Sequence, residues 1–205
     1  LIASDRGLTG SFNAQAFRRA DAFLAEDALK NNPIHAYAIL AVGKKAAQYA
    51  VKNNIDLAGV FFEAGDYMTP EDVNPISRVI ITGFENGSWD RVVTISTHFR
   101  TTLKQEPLIR HMLPVDIAHI EETIAEIVPE HGRYADVARI ESGESDVEYI
   151  VEPSPEIVAS RLVPYLLEMQ LYHIILEANA SEHSARRVAM KTASDNAKDL
   201  ADSLT

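Results

Sequence analysis

The chain has 205 residues and a net charge of −11 at pH 7. So acidic a chain lacks the basic surface that neutralises phosphate charge, which argues against nucleic-acid binding and against direct docking or insertion at anionic lipid. It has no cysteine, which excludes disulfides, thiolate metal ligands and a cysteine nucleophile. No apolar run approaches the roughly 18 residues of a membrane span. The chain begins with Leu1 inside an apolar run, so we expect a fragment or a processed product.

The first part of the chain alternates between predicted strands and helices. Residues 1–4 are typical of the end of a buried strand, and a glycine-containing loop leads from them into a helix that Asn13 is predicted to cap. This helix should end near 31–33. Further strands are predicted at 36–42 and 56–62, with helices after them to about Asn53 and from Pro70 to about Glu85. Three strand–helix units at this spacing favour a parallel sheet of Rossmann-like topology.

The middle of the chain predicts a hairpin followed by a less regular region. Antiparallel strands are expected at 91–100 and 107–113, joined across 104–106. An amphipathic helix is predicted at 116–128, then a loop with at most a short strand at 132–145, and a last strand at 147–153. The predicted fold is α/β: a Rossmann-like, mostly parallel sheet of about five strands with flanking helices, forming a globular domain at 1–153.

Residues 154–205 are predicted to form a separate helical region. Because Pro164 lacks an amide donor and clashes with the preceding turn, we expect a short helix before it and a long one after it. Large apolar residues surround the helix from Leu162 to Leu176, so this half should be buried in a domain. From Ala178 onward the apolar residues are mostly alanines, which bury little area. We therefore expect the distal half to need a partner helix.

The residues suggest little chemistry of their own. Gly7 and Gly10 stand in a strand–loop–helix unit, but they do not form GxGxxG, and a tight turn is the simpler interpretation. The seven histidines form no close ligand pair, which argues against a metal site. Glu182 and Arg186, four residues apart, are predicted to form an exposed ion pair. We therefore expect no catalytic residue, no cofactor and no metal.

Several segments resemble the gamma subunit of F-type ATP synthases. The segments that resemble the start of that family's C-terminal shaft helix are Leu171-Tyr172-His173, the run EANASEHSAR at 177–186, Ala189-Met190-Lys191 and Asp195-Asn196-Ala197. The run SDRGLTGSFN at 4–13 resembles the family motif SDRGLCGGFN, with Thr9 and Ser11 in place of Cys and Gly. The resemblance extends from Ile2 to about Ala201 and is weakest at 116–148.

The resemblance implies a central-stalk rotor subunit that couples ion-driven rotation of the membrane c-ring to ATP synthesis in an alpha–beta hexamer. The catalytic sites would then lie on other subunits, and this chain would be non-catalytic by itself. The implied partners are the alpha and beta subunits through the shaft, and the epsilon subunit and the c-ring through the globular domain. The family's own N-terminal helix, absent here, would pair with the C-terminal helix. The implied location is a peripheral membrane complex, on the cytoplasmic face of a bacterial inner membrane or, alternatively, the matrix side of the mitochondrial one.

Two sets of residues are predicted to matter. The partner-helix face of the shaft is expected to be exposed and to comprise Ala178, Ser181, Glu182, Ala185, Arg186, Ala189, Met190, Thr192 and Asn196. The motif turn after the first strand comprises Ser4, Asp5, Arg6, Gly7, Gly10 and Asn13. Two alternatives stay open, a nucleotide-binding Rossmann-type enzyme and a flavodoxin-like sensor domain. Neither accounts for the long helix.

Overall fold

The computed structural model describes residues 1–31, 36–62, 68–115 and 152–204. The elements within these ranges, in chain order, are α1 (Phe12–Asn31), β1 (Ala38–Val42), α2 (Lys44–Lys52), β2 (Asp56–Phe61), α3 (Pro70–Glu85), β3 (Val92–Phe99), β4 (Gln105–Leu113) and α4 (Pro155–Leu204). The helix predicted at 116–128, the loop and short strand at 132–145 and nearly all of the strand at 147–153 lie outside the described residues.

The first residues of the chain join two strand pairs. β1 pairs with β2 in parallel, and β3 pairs with β4 antiparallel. Between the pairs, the backbone amide of Ala3 donates to the carbonyl of Val42 at 2.9 Å, and the amide of Ile2 donates to the carbonyl of Ile95 at 3.0 Å. The resulting order is β2, β1, residues 1–4, β3 and β4. The predicted α/β fold with a parallel sheet and flanking helices is therefore confirmed.

Gly43, between β1 and α2, permits the close approach of the first segment. Its φ is +95°, and a Cβ at this position would lie 1.9 Å from the carbonyl oxygen of Ala3. Its amide donates to the carbonyl of Phe61 at 2.8 Å. Only glycine combines this backbone conformation with such a contact. The strand-to-helix turn therefore depends on one residue without a side chain.

Side chains alternate along each strand, so both faces of the sheet carry apolar residues. Helices cover both of these faces. The largest core cluster joins the sheet to α3 and α4, and its members are Ile2, Val42, Val73, Ile76, Ile80, Met112, Leu113, Leu167, Leu171, Ile174, Ile175 and Ala178. On the other face, α1 and α2 pack on residues such as Ala3, Ala41 and Ile95. Since the base of α4 shares the main core, the division into domains at 153–154 stays a prediction.

The long helix differs from its prediction in two respects. Pro164 lies inside one continuous helix, so the expected break is wrong. The proline frees the carbonyl of Ser160, but Ser160 is exposed and water can reach that oxygen, while the buried Leu167 and Leu171 hold the next turns on the core. The expectation that 162–176 is buried all round is also wrong, because Tyr165 is 58% exposed and only one face packs inward.

Two local predictions also need correction. Asn13 is the second residue of α1, not its cap. The hairpin loop closes earlier than expected, because the amide of Thr101 donates to the carbonyl of Lys104 at 2.9 Å and β4 already begins at Gln105. Both shifts come from hydrogen bonds that composition does not reveal.

Candidate functional site at the base of the long helix

The most informative part of the molecule is the place where α4 leaves the core. Ile174 and Ile175 are fully buried and are the last large α4 side chains in the main cluster. After them the buried residues of α4 are small: Ala178 is 2% and Ser181 0% exposed. Every residue from Met190 to Leu204 is exposed. The helix therefore changes from a core element to a free rod over about three turns.

Polar side chains bind this part of α4 to the β3–β4 hairpin, and three of those described form a row along the helix. They are Glu177, Ser181 and Ser184, and we name them the polar seam. Ser181 Oγ donates to the carbonyl of Thr97 at 3.3 Å, and Ser184 Oγ donates to the carbonyl of Thr102 at 2.9 Å. Spacings of four and three residues place the three side chains on one face of the helix.

Glu177, at the start of the polar seam, makes more of the described polar contacts than Ser181 or Ser184. Its carboxylate accepts from Arg110 Nη2 at 3.0 Å, and it lies 2.9 Å from His98 Nδ1 and 3.2 Å from His173 Nε2. The side chains of Glu177, Arg110 and His98 are 12%, 6% and 5% exposed, so all three are shielded from water. Such buried, charge-assisted bonds are strong and directional.

The electrostatics keep Glu177 ionised. Burial raises the pKa of this carboxyl, but the hydrogen bonds from His173 and His98 and the charge of Arg110 outweigh burial and lower the pKa to about 2. Arg110 Nη2 also lies 3.1 Å from His98 Nδ1, so Glu177, His98 and Arg110 form one closed network of contacts. A carboxylate held by three donors is a poor general base, so the arrangement suits a mechanical joint better than proton transfer.

Strand β3 provides a polar surface beneath the helix. Ser96, Thr97 and His98 are 0%, 1% and 4% exposed, which is unusual for consecutive polar residues. Arg110 Nη1 lies 3.5 Å from Ser96 Oγ. Within the described part of the chain, the hydroxyl of Thr97 is buried with no hydrogen-bond partner. The strand thus uses its backbone carbonyl and its histidine to hold α4.

The motif turn is organised by Asn13. Asn13 Nδ2 donates to Ser4 Oγ at 2.7 Å and to Thr9 Oγ1 at 3.1 Å, while its Oδ1 accepts from the amide of Ser4 at 3.0 Å. Ser4 Oγ in turn donates to the carbonyl of Arg6 at 2.6 Å. The amide side chain therefore fixes the turn from inside α1, which is the role it has in place of the predicted cap.

Other residues of the motif turn contact α2 and α4. Asp5 Oδ1 accepts from the amide of Lys44 at 2.9 Å, at the start of α2. Gly10 has φ +55°, and a Cβ there would lie 3.6 Å from Ala189 Cβ and 3.9 Å from the carbonyl oxygen of Ala185. Arg6 and Gly7 are exposed. The turn and the long helix, predicted as two separate sets, thus meet at Gly10.

The residues of the predicted partner-helix face fall into three groups. Ala178 and Ser181 are buried; Glu182, Ala185, Arg186 and Ala189 are half-buried; and Met190, Thr192 and Asn196 are exposed. The expected exposure of Ala178 and Ser181 is wrong, because Ala178 belongs to the main core cluster and Ser181 bonds to Thr97 of β3. The ion pair of Glu182 and Arg186 is present, with side chains only 17% and 18% exposed. The partner-helix role of the remaining residues stays a prediction.

Sequence reasoning missed the residues that hold Glu177. Arg110 lies in the largely apolar strand β4, and Glu177 follows three apolar residues of α4. Charges of opposite sign that stand next to apolar residues in two different elements are the signal that could have paired them. His98 and His173 were weighed only as metal ligands. Among the described residues, no group of three His, Asp or Glu side chains is placed to hold a metal ion.

A second surface feature is less suited to function. A cavity of about 260 Å³ lies between α3 and α4, bordered by residues such as Arg78, Tyr165 and Glu168. It is open to solvent, and no buried charged group lines it among the described residues.

No described helix is both long and apolar enough to cross a bilayer. The junction around Glu177 therefore remains the best candidate site.

Comparison with protein families gives a match over residues 1–205 to the family described as ATP synthase. The chain is 38% identical over 205 residues to the ATP synthase gamma chain of Roseiflexus castenholzii, covering all of this chain and 62% of that one. It is 33% identical to the ATP synthase gamma chain of Chloroflexus aurantiacus, with the same coverage. The chain therefore spans less than two thirds of the length of these relatives.

Solved structures give the same fold. The chain is similar to one from the central stalk and c-ring of the mitochondrial ATP synthase of Tetrahymena thermophila, with a TM-score of 0.63, 22% identity, and coverage of 94% of this chain and 74% of that one. It is also similar to one from the rotor of the Euglena gracilis mitochondrial ATP synthase, with a TM-score of 0.61, 17% identity, and coverage of 97% and 67%.

Proposed function

The chain belongs to the ATP synthase gamma chain family, and we propose that it acts in the central stalk of a rotary ATP synthase, where it transmits rotation between a membrane ring and a catalytic hexamer. The resemblance noted in the sequence is thereby confirmed. The observation that carries the proposal is the form of α4. One continuous helix, Pro155–Leu204, is fixed in a globular domain at its base and exposed at its end.

The helix has dimensions suited to a shaft. Its 50 residues correspond to about 75 Å. The exposed part from Met190 onward is the surface on which alpha and beta subunits would act, while Met190, Thr192 and Asn196 are free to contact an N-terminal helix of the family type. The globular domain would bind the c-ring and the epsilon subunit. In this arrangement the domain follows the ring and the helix turns inside the hexamer.

The chain is non-catalytic by itself in this proposal. The motif turn contains no phosphate cradle, since Gly10 faces α4 and Gly7 is exposed. Glu177, the buried carboxylate of the junction, is saturated with donors. These observations favour a mechanical role over a Rossmann-type nucleotide enzyme or a flavodoxin-like sensor. The complex would be peripheral to a membrane, at the cytoplasmic face of a bacterial inner membrane.

A rotation assay tests the proposal. These 205 residues contain no cysteine, so Lys52→Cys, at the exposed end of α2, provides the one cysteine among them to which a bead can be attached. The full-length subunit carrying this chain is assembled with an immobilised alpha–beta hexamer and given Mg-ATP. We expect unidirectional rotation of the bead. A complex that assembles and hydrolyses ATP while a firmly attached bead stays still would refute the proposal.

A further inference from the structure

We propose that the polar seam, Glu177, Ser181 and Ser184, sets the rotational angle of α4 relative to the sheet and is the joint through which torque passes between the globular domain and the rod. The transmission of torque rests on the function proposed above. The joint itself is a property of this chain and can be tested without the complex.

Apolar packing holds the base of α4 in the core but ends before the rod begins. Ile174 and Ile175 are the last large side chains of α4 in the core, and burial of apolar area is non-directional. Beyond them, small residues such as Ala178 leave a smooth helix surface against β3. A helix held only by such contacts can roll about its axis at little cost. Directional bonds are needed where the core stops.

The polar seam provides directional bonds at this place. Glu177 to Ser184 spans about 10 Å along the helix axis. Glu177 engages both strands of the hairpin, through His98 of β3 and Arg110 of β4. Ser181 and Ser184 then follow the same hairpin to its turn, where the carbonyl of Thr102 accepts the last bond. Three attachments in a row oppose both rolling and tilting of the helix.

A second contact blocks rotation on another side of the helix. Gly10 of the motif turn lies against Ala185 and Ala189. Ala185 follows Ser184 by one residue, which is about 100° around the helix. The hairpin and the turn therefore hold α4 from two directions. Gly10 suits this turn because it adopts φ +55°, a backbone conformation that favours glycine.

The alternative is that Glu177 and Arg110 only add stability. Replacing buried ion pairs by apolar residues is often neutral or stabilising, so their net contribution to folding is a weak reason for their presence. Their geometry, however, defines one orientation of the helix. The two roles differ in a measurable way, because a purely stabilising pair would leave the position of the rod unchanged in the folded molecules.

Distance measurement between spin labels separates these roles. Nitroxides are placed at Lys52→Cys on α2 and Lys198→Cys on the rod, both exposed in a chain without natural cysteine. Electron–electron double resonance then gives the distribution of distances in the folded chain. For Glu177→Gln and for the double variant Ser181→Ala/Ser184→Ala, we expect the variance of this distribution to rise at least about 1.5-fold, treating the three attachments as additive.

Two control variants should keep the narrow wild-type distribution. Glu168→Gln makes the same chemical change on α4 but nine residues earlier, on the opposite side of the helix. Ile76→Val opens a cavity in the core of α3 and lowers stability without touching the polar seam. The proposal fails if either seam variant, folded by circular dichroism, keeps the wild-type variance, or if Ile76→Val broadens it equally. Should Glu177→Gln not fold, the serine double variant decides.

The rotation assay separates the joint from the proposed function. If wild-type complexes rotate the bead, the angular fluctuations of a bead on a stalled complex should be larger for the serine double variant than for Glu168→Gln. If wild-type complexes do not rotate it, the rotor function fails, while the distance measurement still decides whether the polar seam sets the angle of α4.

Discussion

Substitution of Glu177 by Gln should destabilise the folded chain by about 3 kcal/mol at pH 7. The variant keeps the size of the side chain but removes the charge that Arg110 faces at 3.0 Å. It also places an amide donor among other donors, from Arg110, His98 and His173. Removing one partner of a buried pair leaves the other charge uncompensated, which costs about 3–5 kcal/mol in measured cases.

The pKa of Glu177 gives a related quantity, the stabilisation of the ionised carboxyl relative to the protonated one. The ordinary value of 4.5 falls to about 2 in the folded state. A difference of about 2.5 pKa units corresponds to about 3 kcal/mol in favour of the ionised form. Because the side chain is only 12% exposed, little of this is lost to solvent screening. The two estimates agree within about 1 kcal/mol.

The pH dependence has a defined sign. A carboxyl whose folded pKa is lowered contributes stability that is fully present above its unfolded pKa and is lost as pH falls through its folded pKa. The difference in unfolding free energy between wild type and Glu177→Gln should therefore be constant from pH 7 to about 5. It should shrink between about pH 4.5 and pH 2, because in this range Glu177 is protonated in the unfolded wild-type chain and still ionised in the folded one.

Urea denaturation followed by circular dichroism measures this difference at each pH. Glu168→Gln is the matched control, and its unfolding free energy should differ from wild type by less than about 1 kcal/mol. A double-mutant cycle with Arg110→Met isolates the coupling of the pair. The reasoning is refuted if Glu177→Gln costs less than about 1 kcal/mol at pH 7, or if its cost is the same at pH 3 as at pH 7.

Gly43→Ala should cost more than about 3 kcal/mol or prevent folding, while Gly87→Ala, which has φ +74° but open space around it, should cost about 1 kcal/mol in urea denaturation; equal costs would contradict the close-contact argument. Thr97→Val should raise stability by up to about 1 kcal/mol, since it removes a buried hydroxyl without a partner among the described residues; a loss would show that the hydroxyl is bonded. Hydrogen exchange should be much faster at Ala193–Leu204 than at Leu171–Ala178, because the first range is fully exposed; uniform protection in dilute monomer would contradict this. Calorimetric titration with Mg-ATP should reveal no stoichiometric site tighter than about 10 μM, and finding one would favour the nucleotide-enzyme alternative.

The sequence alone was sufficient for most of the elements. The ends of α2, β2 and α3 were predicted within one or two residues, because helix and strand periodicities and the Gly and Pro signals that bound them are local properties. The family resemblance was likewise carried by short segments, in the motif turn and in α4. For these features, each residue and its near neighbours in the chain contain the necessary information.

Only the tertiary structure decided how α4 is held. Periodicity placed Ala178, Ser181 and Ala185 near one face of the helix, but it could not show that β3 and the motif turn of the same chain cover that face. Arg110 and Glu177 are 67 residues apart, and Ser181 and Thr97 are 84 apart. Contacts at such separations depend on how the sheet and helices pack, which local patterns do not specify. Pro164 stays inside the helix for the same reason, since packing of the following turns outweighs a local preference to break.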